Sequence, residues 1–194
     1  MESILRAIRA GELDASAVVV ISNNPEAPAL EIARQFGIPA VAIESKGLSR
    51  QKHEQLVLEK LAEYPVDYVV LAGYMRILSA EFLTSFRHPA GYYRVINIHP
   101  SLLPAFPGKS AYEDAFAHNV RVSGITVHLV DDQVDHGPIL AQEAFDRLEA
   151  DTLETFKARG LAVEHKLFPA VLQRIAREGI TLLPQTQQEK VASK

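Results

Sequence analysis

The sequence predicts an α/β fold, with a mostly parallel sheet, helices on both faces and an antiparallel C-terminal part. Three observations carry this expectation. Short continuous apolar runs, the mark of strands covered on both faces, recur along the first hundred residues. Between them lie segments whose apolar residues return at helical spacing, and that alternation implies right-handed βαβ crossovers. After residue 108 the pattern changes: two strand-like runs flank one polar loop, and strands so close in sequence pair antiparallel.

Taken in order, Ser3 to Arg9 reads as a helix through Ile4, Leu5 and Ile8, with Gly11 as its stop. Ala17 to Ser22 is the first buried strand. Pro28 suits the first turn of a helix that carries Ala29, Ile32, Ala33 and Phe36 and stops at Gly37. Ala40 to Ile43 is a second strand, and Ser49 to about Glu63 a longer helix. Asp67 to Gly73 is the third strand, Ala80 to Phe86 a short helix, and Arg94 to Ile98 the fourth strand. A helix from Ala111 to Ala117 precedes the antiparallel pair, Gly124–Val130 and Ile139–Ala144. Thr152 to about Arg177 is a long amphipathic helix. The expected organisation is one domain over residues 1–184 and a disordered tail at 185–194.

Composition narrows the function classes. A length of 194 residues suits one domain with a sizeable core, and 47% hydrophobic with 23% charged residues is ordinary for a globular chain. The net charge of -4 lacks the basic field that non-specific nucleic-acid binding needs. Cysteine is absent, which removes disulfides, thiolate nucleophiles and Cys-ligated metals. No apolar run reaches membrane-spanning length and the start lacks a signal-peptide pattern, so a cytoplasmic protein is expected.

The chemistry concentrates in Val95-Ile96-Asn97-Ile98-His99-Pro100-Ser101-Leu102-Leu103-Pro104-Ala105-Phe106-Pro107-Gly108, a strand running into a proline-rich loop. Asn97 and His99 stand two apart, so the pleat sends both side chains to one face. An amide donor beside an imidazole suits a carbonyl oxygen that gains negative charge. Alone, such a pair at a strand end is more often a turn-former. A second polar cluster, Asp131-Asp132-Gln133-Val134-Asp135-His136-Gly137-Pro138, favours the chemical reading, although acidic clusters are usually solvated loops. Ligands of open α/β sheets bind outside the carboxyl ends of the strands. Both clusters, and Gly73-Tyr74-Met75-Arg76-Ile77-Leu78, belong at such ends; Met75, Ile77 and Leu78 read equally as core at a strand–helix junction. His128, Asp131, Asp135 and His136 follow no familiar metal-ligand spacing, so no metal is expected. Ser101 lacks a Gly-x-Ser-x-Gly setting and reads as loop structure.

These stretches together resemble the folate-dependent formyltransferases. The resembling motifs are Asn97 to Pro104 with Pro107-Gly108, Gly73 to Leu78, and Val127-His128-Leu129-Val130 with Val134 to Pro138, in that order. The resemblance runs from about residue 3 to residue 180 and is closest to the branch that acts on glycinamide ribonucleotide in de novo purine (IMP) synthesis. Pro100 differs from the second histidine of the formyltetrahydrofolate hydrolases and from the alanine of the methionyl-tRNA formyltransferases.

What the resemblance implies is a Rossmann-like formyltransferase fold and a definite reaction. The amine of glycinamide ribonucleotide attacks the formyl carbon of 10-formyltetrahydrofolate, with no covalent enzyme intermediate. Carried over, His99 and Asn97 donate to the developing oxyanion, while Asp135 faces His99, favours its imidazolium and helps move protons. The folate lies against Met75, Arg76, Ile77, Leu78 and the 130–135 loop and reaches Asn97, with Arg50 on its glutamate tail. Glu164 contacts the ribonucleotide. The partners expected are small molecules, with no nucleic acid or membrane, in a monomer or homodimer. By the same resemblance the Leu103–Pro104 peptide bond is cis, a state of roughly one X–Pro bond in twenty.

One departure stands out. The family opens with a strand and a Gly-rich phosphate loop, whereas Met1-Glu2-Ser3-Ile4-Leu5 reads as already inside the helix that follows them. A wrongly chosen start codon or a truncated chain is the expected cause, and a non-enzymatic folate-binding remnant or scaffold the alternative. Val18–Ile21 and Val69–Ala72 are then expected to lack the neighbour between them. Some folate affinity, weak ribonucleotide binding and little product follow from that expectation, with recovery on extending the chain upstream by roughly a dozen residues.

Overall fold

Helices and strands alternate through residues 1–182, the residues that the computed structural model describes. The tail expected at 185–194 lies outside them. The order is α1 (Glu2–Arg9), β1 (Val20–Ser22), α2 (Pro28–Gln35), β2 (Ala40–Ala42), α3 (Arg50–Leu61) and β3 (Val69–Val70), followed by α4 (Ala80–Thr84), β4 (Val95–His99), α5 (Ala111–Ala117), β5 (Val122–Leu129), β6 (Ile139–Asp146) and α6 (Leu153–Glu178).

Local chemistry sets the helix ends. The Ser49 hydroxyl accepts from the Lys52 N–H and the Ser79 hydroxyl from the Phe82 N–H, each satisfying a donor that the first helical turn leaves free. Thr152 and Thr155 form a reciprocal capping box at the start of α6. Pro28 occupies the first turn of α2, where its missing N–H costs nothing. Pro169 lies inside α6 and removes one rung of its ladder. Buried Phe168, Val171 and Ile175 hold the helix against the core on both sides of that gap.

β4 is the organising strand. It runs parallel to β3 (Val69↔Val95) and antiparallel to β5, with Asn97 opposite His128 and His99 opposite Thr126. β5 pairs antiparallel with β6 through a register shift at Val127/His128. Along β4, Ile96 joins a core of Ile4 (α1), Leu129 (β5), Phe168, Val171 and Ile175 (α6). Its neighbour Val95 faces the opposite way and joins Phe82, Leu83 and Phe86. A third cluster packs Ala115 of α5, Ile125, Phe145 and Phe156 where β5, β6 and α6 meet.

The sheet is in two parts, with the gap between Val18–Ile21 and Val69–Ala72 that the resemblance led one to expect. β1 and β2 form a parallel pair, and β3–β4–β5–β6 form a separate four-stranded sheet. Between β1 and β3 lies a cavity of about 1120 Å³. Its presence explains two differences from the sequence expectation. Val18 to Ile21 are half-buried rather than covered on both faces, and the third strand shrinks from Asp67–Gly73 to Val69–Val70. A strand with a ladder on one edge only has fewer bonds to hold it extended.

Candidate active site

Asn97 and His99 leave β4 on one face, as the pleat requires, and meet residues of two loops and of β5. His99 is 4% exposed. Its Nδ1 lies 3.3 Å from Asp135 Oδ2, and its Nε2 donates to the Phe106 carbonyl at 2.8 Å. Asp135 Oδ2 also accepts the Gly108 N–H at 2.7 Å, so one carboxylate ties the proline loop to the 130–138 loop. Asp135 adopts φ 53, a left-handed conformation that Asp tolerates better than most side chains.

The 130–138 loop is closed by the Leu129 N–H donating to the Pro138 carbonyl at 2.9 Å. Gly137 is required at that closure, since a Cβ there would stand 1.9 Å from the Leu129 carbonyl oxygen. On the other side, the loop after β4 is pinned from β5 and β6. The Thr126 hydroxyl donates to the Ser101 carbonyl at 2.6 Å and accepts from the Leu103 N–H and the Gln142 amide. Gln142 also donates to the Leu103 carbonyl at 2.9 Å. Ser101 is buried, its hydroxyl donating to the Ala105 carbonyl, in keeping with its reading as loop structure. The Leu103–Pro104 bond is cis, as expected.

His128, quoted in a resembling motif without a role and otherwise weighed as a metal ligand, is a neighbour of Asn97 and Asp135 that sequence reasoning did not place in the site. Its Nδ1 donates to the Leu129 carbonyl at 2.9 Å, which leaves Nε2 of the neutral ring as an acceptor. Burial pushes its pKa below the ordinary imidazole value, favouring that neutral form. Nε2 then accepts from Asn97 Nδ2 at 3.3 Å and stands 3.8 Å from Asp135 Oδ1. One amide N–H of Asn97 is thereby held, and the other has no partner among the described residues. His128 lies directly across the ladder from Asn97, a register that the sequence alone does not supply.

Other expected residues divide. Met75 is 71% and Ile77 57% exposed, which overturns their reading as core; Leu78 is buried against Phe82 and Val95 and keeps it. Arg76 is half-buried in the same loop, which leaves the sheet one strand over from β4. Val134, at the tip of the 130–138 loop, is also exposed. Arg50 opens α3 on the surface, with Glu81 as its charged neighbour and no bond to Asn97, His99 or Asp135 among the described residues. Glu164 is half-buried on α6, where burial pushes its carboxyl pKa up; the buried Tyr112 hydroxyl, which has no hydrogen-bond partner among the described residues, feels its charge. His136 pairs with Asp131 at 2.8 Å on the exposed side of the loop, as a solvated cluster does. Among the described residues no three His, Asp or Glu side chains converge as a metal site.

Residues 1–172 match the family model described as formyl transferase. The chain is 41% identical over 175 residues to phosphoribosylglycinamide formyltransferase of Bacillus subtilis, covering 90% of this chain and 87% of that one. The crystal structure of phosphoribosylglycinamide formyltransferase from Bacillus halodurans superposes with a TM-score of 0.86 at 41% identity, covering 95% of this chain and 93% of that one. A formyltetrahydrofolate deformylase of Haemophilus influenzae is 36% identical over 162 residues, which span 84% of this chain and 56% of that protein.

Proposed function

Because the chain belongs to the formyl transferase family, we propose that it moves a formyl group from 10-formyltetrahydrofolate to the amine of glycinamide ribonucleotide, a step of de novo purine biosynthesis. The observation that carries the reading is the meeting of Asn97, His99 and Asp135 at the carboxyl end of β4. Those groups suit a reaction in which a carbonyl oxygen becomes an oxyanion while protons change places.

The unprotonated amine attacks the formyl carbon, forming a C–N bond and placing a negative charge on the formyl oxygen. The Asn97 N–H left free by His128 donates to that oxygen. His99 donates as well, with the half-buried Asp135 carboxylate 3.3 Å from its Nδ1. Both His99 nitrogens already have partners, so donation requires one exchange. The Phe106 carbonyl is the neutral, weaker partner, and the oxyanion replaces it at Nε2. The tetrahedral centre then collapses, breaking its bond to N10 of the folate. The departing nitrogen takes up a proton and the former amine releases one, leaving the net charge balanced.

Met75, Ile77 and Val134 give the pteridine an apolar surface beside this point, with Arg76 and Leu78 shaping the loop. Arg50 meets the folate's glutamate tail. Glu164 meets the ribonucleotide, whose donors would offset the penalty of its burial. Among the described residues no helix is long and apolar enough to cross a membrane, and we place the protein in the cytoplasm as a monomer or homodimer.

The test follows a 13C-formyl label by NMR in the presence of both substrates. Label in a new amide of the ribonucleotide supports the reading. Label released only as formate would replace it with hydrolysis.

A further inference from the structure

Residues 73–78, between β3 and α4, carry the exposed Met75 and Ile77, yet their backbone makes no hydrogen bond among the described residues. Backbone without ladder or turn bonds belongs to the least stable part of a fold unless something else fixes it. The start of this loop is fixed by the last ladder bond of β3, from the Leu71 N–H to the Ile96 carbonyl at 2.8 Å. Its end is fixed from α3. Glu54 Oε1 accepts the N–H of Ser79, the residue that caps α4, at 3.0 Å. Both partners are shut off from water, Glu54 being 4% and Ser79 5% exposed.

A carboxyl group buried this deeply costs stability unless its bonds repay it. The Ser79 bond is the one it makes, since Oε2 is buried with no partner among the described residues. Helix α3 does not need Glu54 for its own anchoring. Ser49 caps its first turn, and the buried His53 donates from Nε2 to the Ile43 carbonyl at 2.9 Å, tying the helix to the chain after β2. Glu54 therefore reaches from a fixed helix to a loop with no other polar hold. Tyr74 and Leu78 pack against the Phe82 and Val95 core, but apolar contact is non-directional, whereas a hydrogen bond sets both distance and angle. Tyr74 also registers the nearness of α3: burial pushes its hydroxyl pKa up, and the Glu54 charge adds to that rise against the opposing Arg76.

We propose that Glu54 is a positioning residue for folate binding: through the Ser79 N–H it holds the 73–78 loop in the course that presents Met75, Arg76 and Ile77. It touches no substrate itself. The proposal rests on the reading of that loop as the folate surface. A binding surface built on a loop is only as precise as the groups that support it from behind, and here that support is one carboxyl oxygen. Without it the loop samples other courses, and the folate must restrict them as it binds, at a cost in affinity.

The probe is 5-formyltetrahydrofolate, a stable isomer of the proposed donor, titrated into the whole chain. Glu54→Leu keeps the bulk and removes the acceptor, so the dissociation constant should rise about ten- to a hundredfold, the usual worth of a hydrogen bond to a charged group. Trypsin cleavage after Arg76, which follows the population of the open loop, should quicken more than tenfold. Glu54→Gln retains an acceptor oxygen and should bring both within threefold of the parent. Ser79→Pro deletes the donor instead, at a φ of -78 that suits proline, and should act like Glu54→Leu even if the latter does not fold. Val171→Ala loosens a core that no loop residue joins, so it should lower the thermal midpoint and leave folate binding near that of the parent. Unchanged binding or cleavage in Glu54→Leu, no rescue by glutamine, or as large a loss of binding in Val171→Ala would each overturn the proposal. A parent that binds no folate would overturn the formyl-transfer reading with it, whereas equal binding by parent and leucine variant would overturn the proposal alone.

Discussion

Replacing Asp135 by Asn removes one charge and almost nothing else. The amide keeps the shape of the carboxylate and can still accept the Gly108 N–H now held at 2.7 Å. What is lost is the anion 3.3 Å from His99 Nδ1, in a pair whose side chains are 5% and 11% exposed. At an effective dielectric of ~20, unit charges at that distance interact by about 5 kcal/mol, the ceiling on what Asp135 adds to the imidazolium. Loss of a single oxyanion donor typically costs about 2.7–4 kcal/mol. With ~1.4 kcal/mol per tenfold, the expected fall in turnover is about 10²- to 10³-fold, bounded near 10⁴. Single-turnover formyl transfer measures it, beside a folate-analogue titration that should change only modestly. Turnover within tenfold of the parent, in a variant of unchanged thermal midpoint, would refute the role of the charge.

Three further expectations follow from the same contacts. His128 has a pKa below that of its unfolded state because burial disfavours the cation, so its contribution to stability is present above pH ~6.5 and is lost as pH falls towards the folded value. Thermal midpoints between pH 7.5 and 5.5 should fall less steeply in His128→Gln, and the same variant should lower turnover more than folate affinity. Met75→Ala with Ile77→Ala should weaken folate-analogue binding severalfold and leave the thermal midpoint nearly unchanged, because both side chains stand in solvent. Gly137→Ala should cost roughly 2–4 kcal/mol in chemical denaturation, since its methyl would overlap the Leu129 carbonyl and open the loop that carries Asp135.

The residues proposed to do the chemistry were legible where local periodicity is enough to place them. Asn97 and His99 share a face because a strand has period two, and Asp135 was reached through the resemblance of its loop. Thr126, Gln142 and His128 were not legible, because each acts through a partner on another strand, and single-sequence reasoning does not supply the register that joins them. Met75 and Ile77 were ambiguous for a related reason. Apolar character states what a side chain would bury against, and only the loop's course decides whether anything is there. Ala17–Ser22 and Asp67–Gly73 are apolar enough for central strands, and the resemblance anticipated that they lack the neighbour between them. Arg50 and Glu164 rest on the resemblance alone, as neither touches Asn97, His99 or Asp135 among the described residues.

The most direct test of the formyl-transfer account is a crystal structure of the chain with a formyl-bearing folate analogue. The account predicts the formyl oxygen within hydrogen-bond distance of Asn97 Nδ2 and His99 Nε2, with the Phe106 carbonyl displaced from the imidazole. A folate bound with its formyl group away from β4, and the His99–Phe106 bond intact, would contradict it.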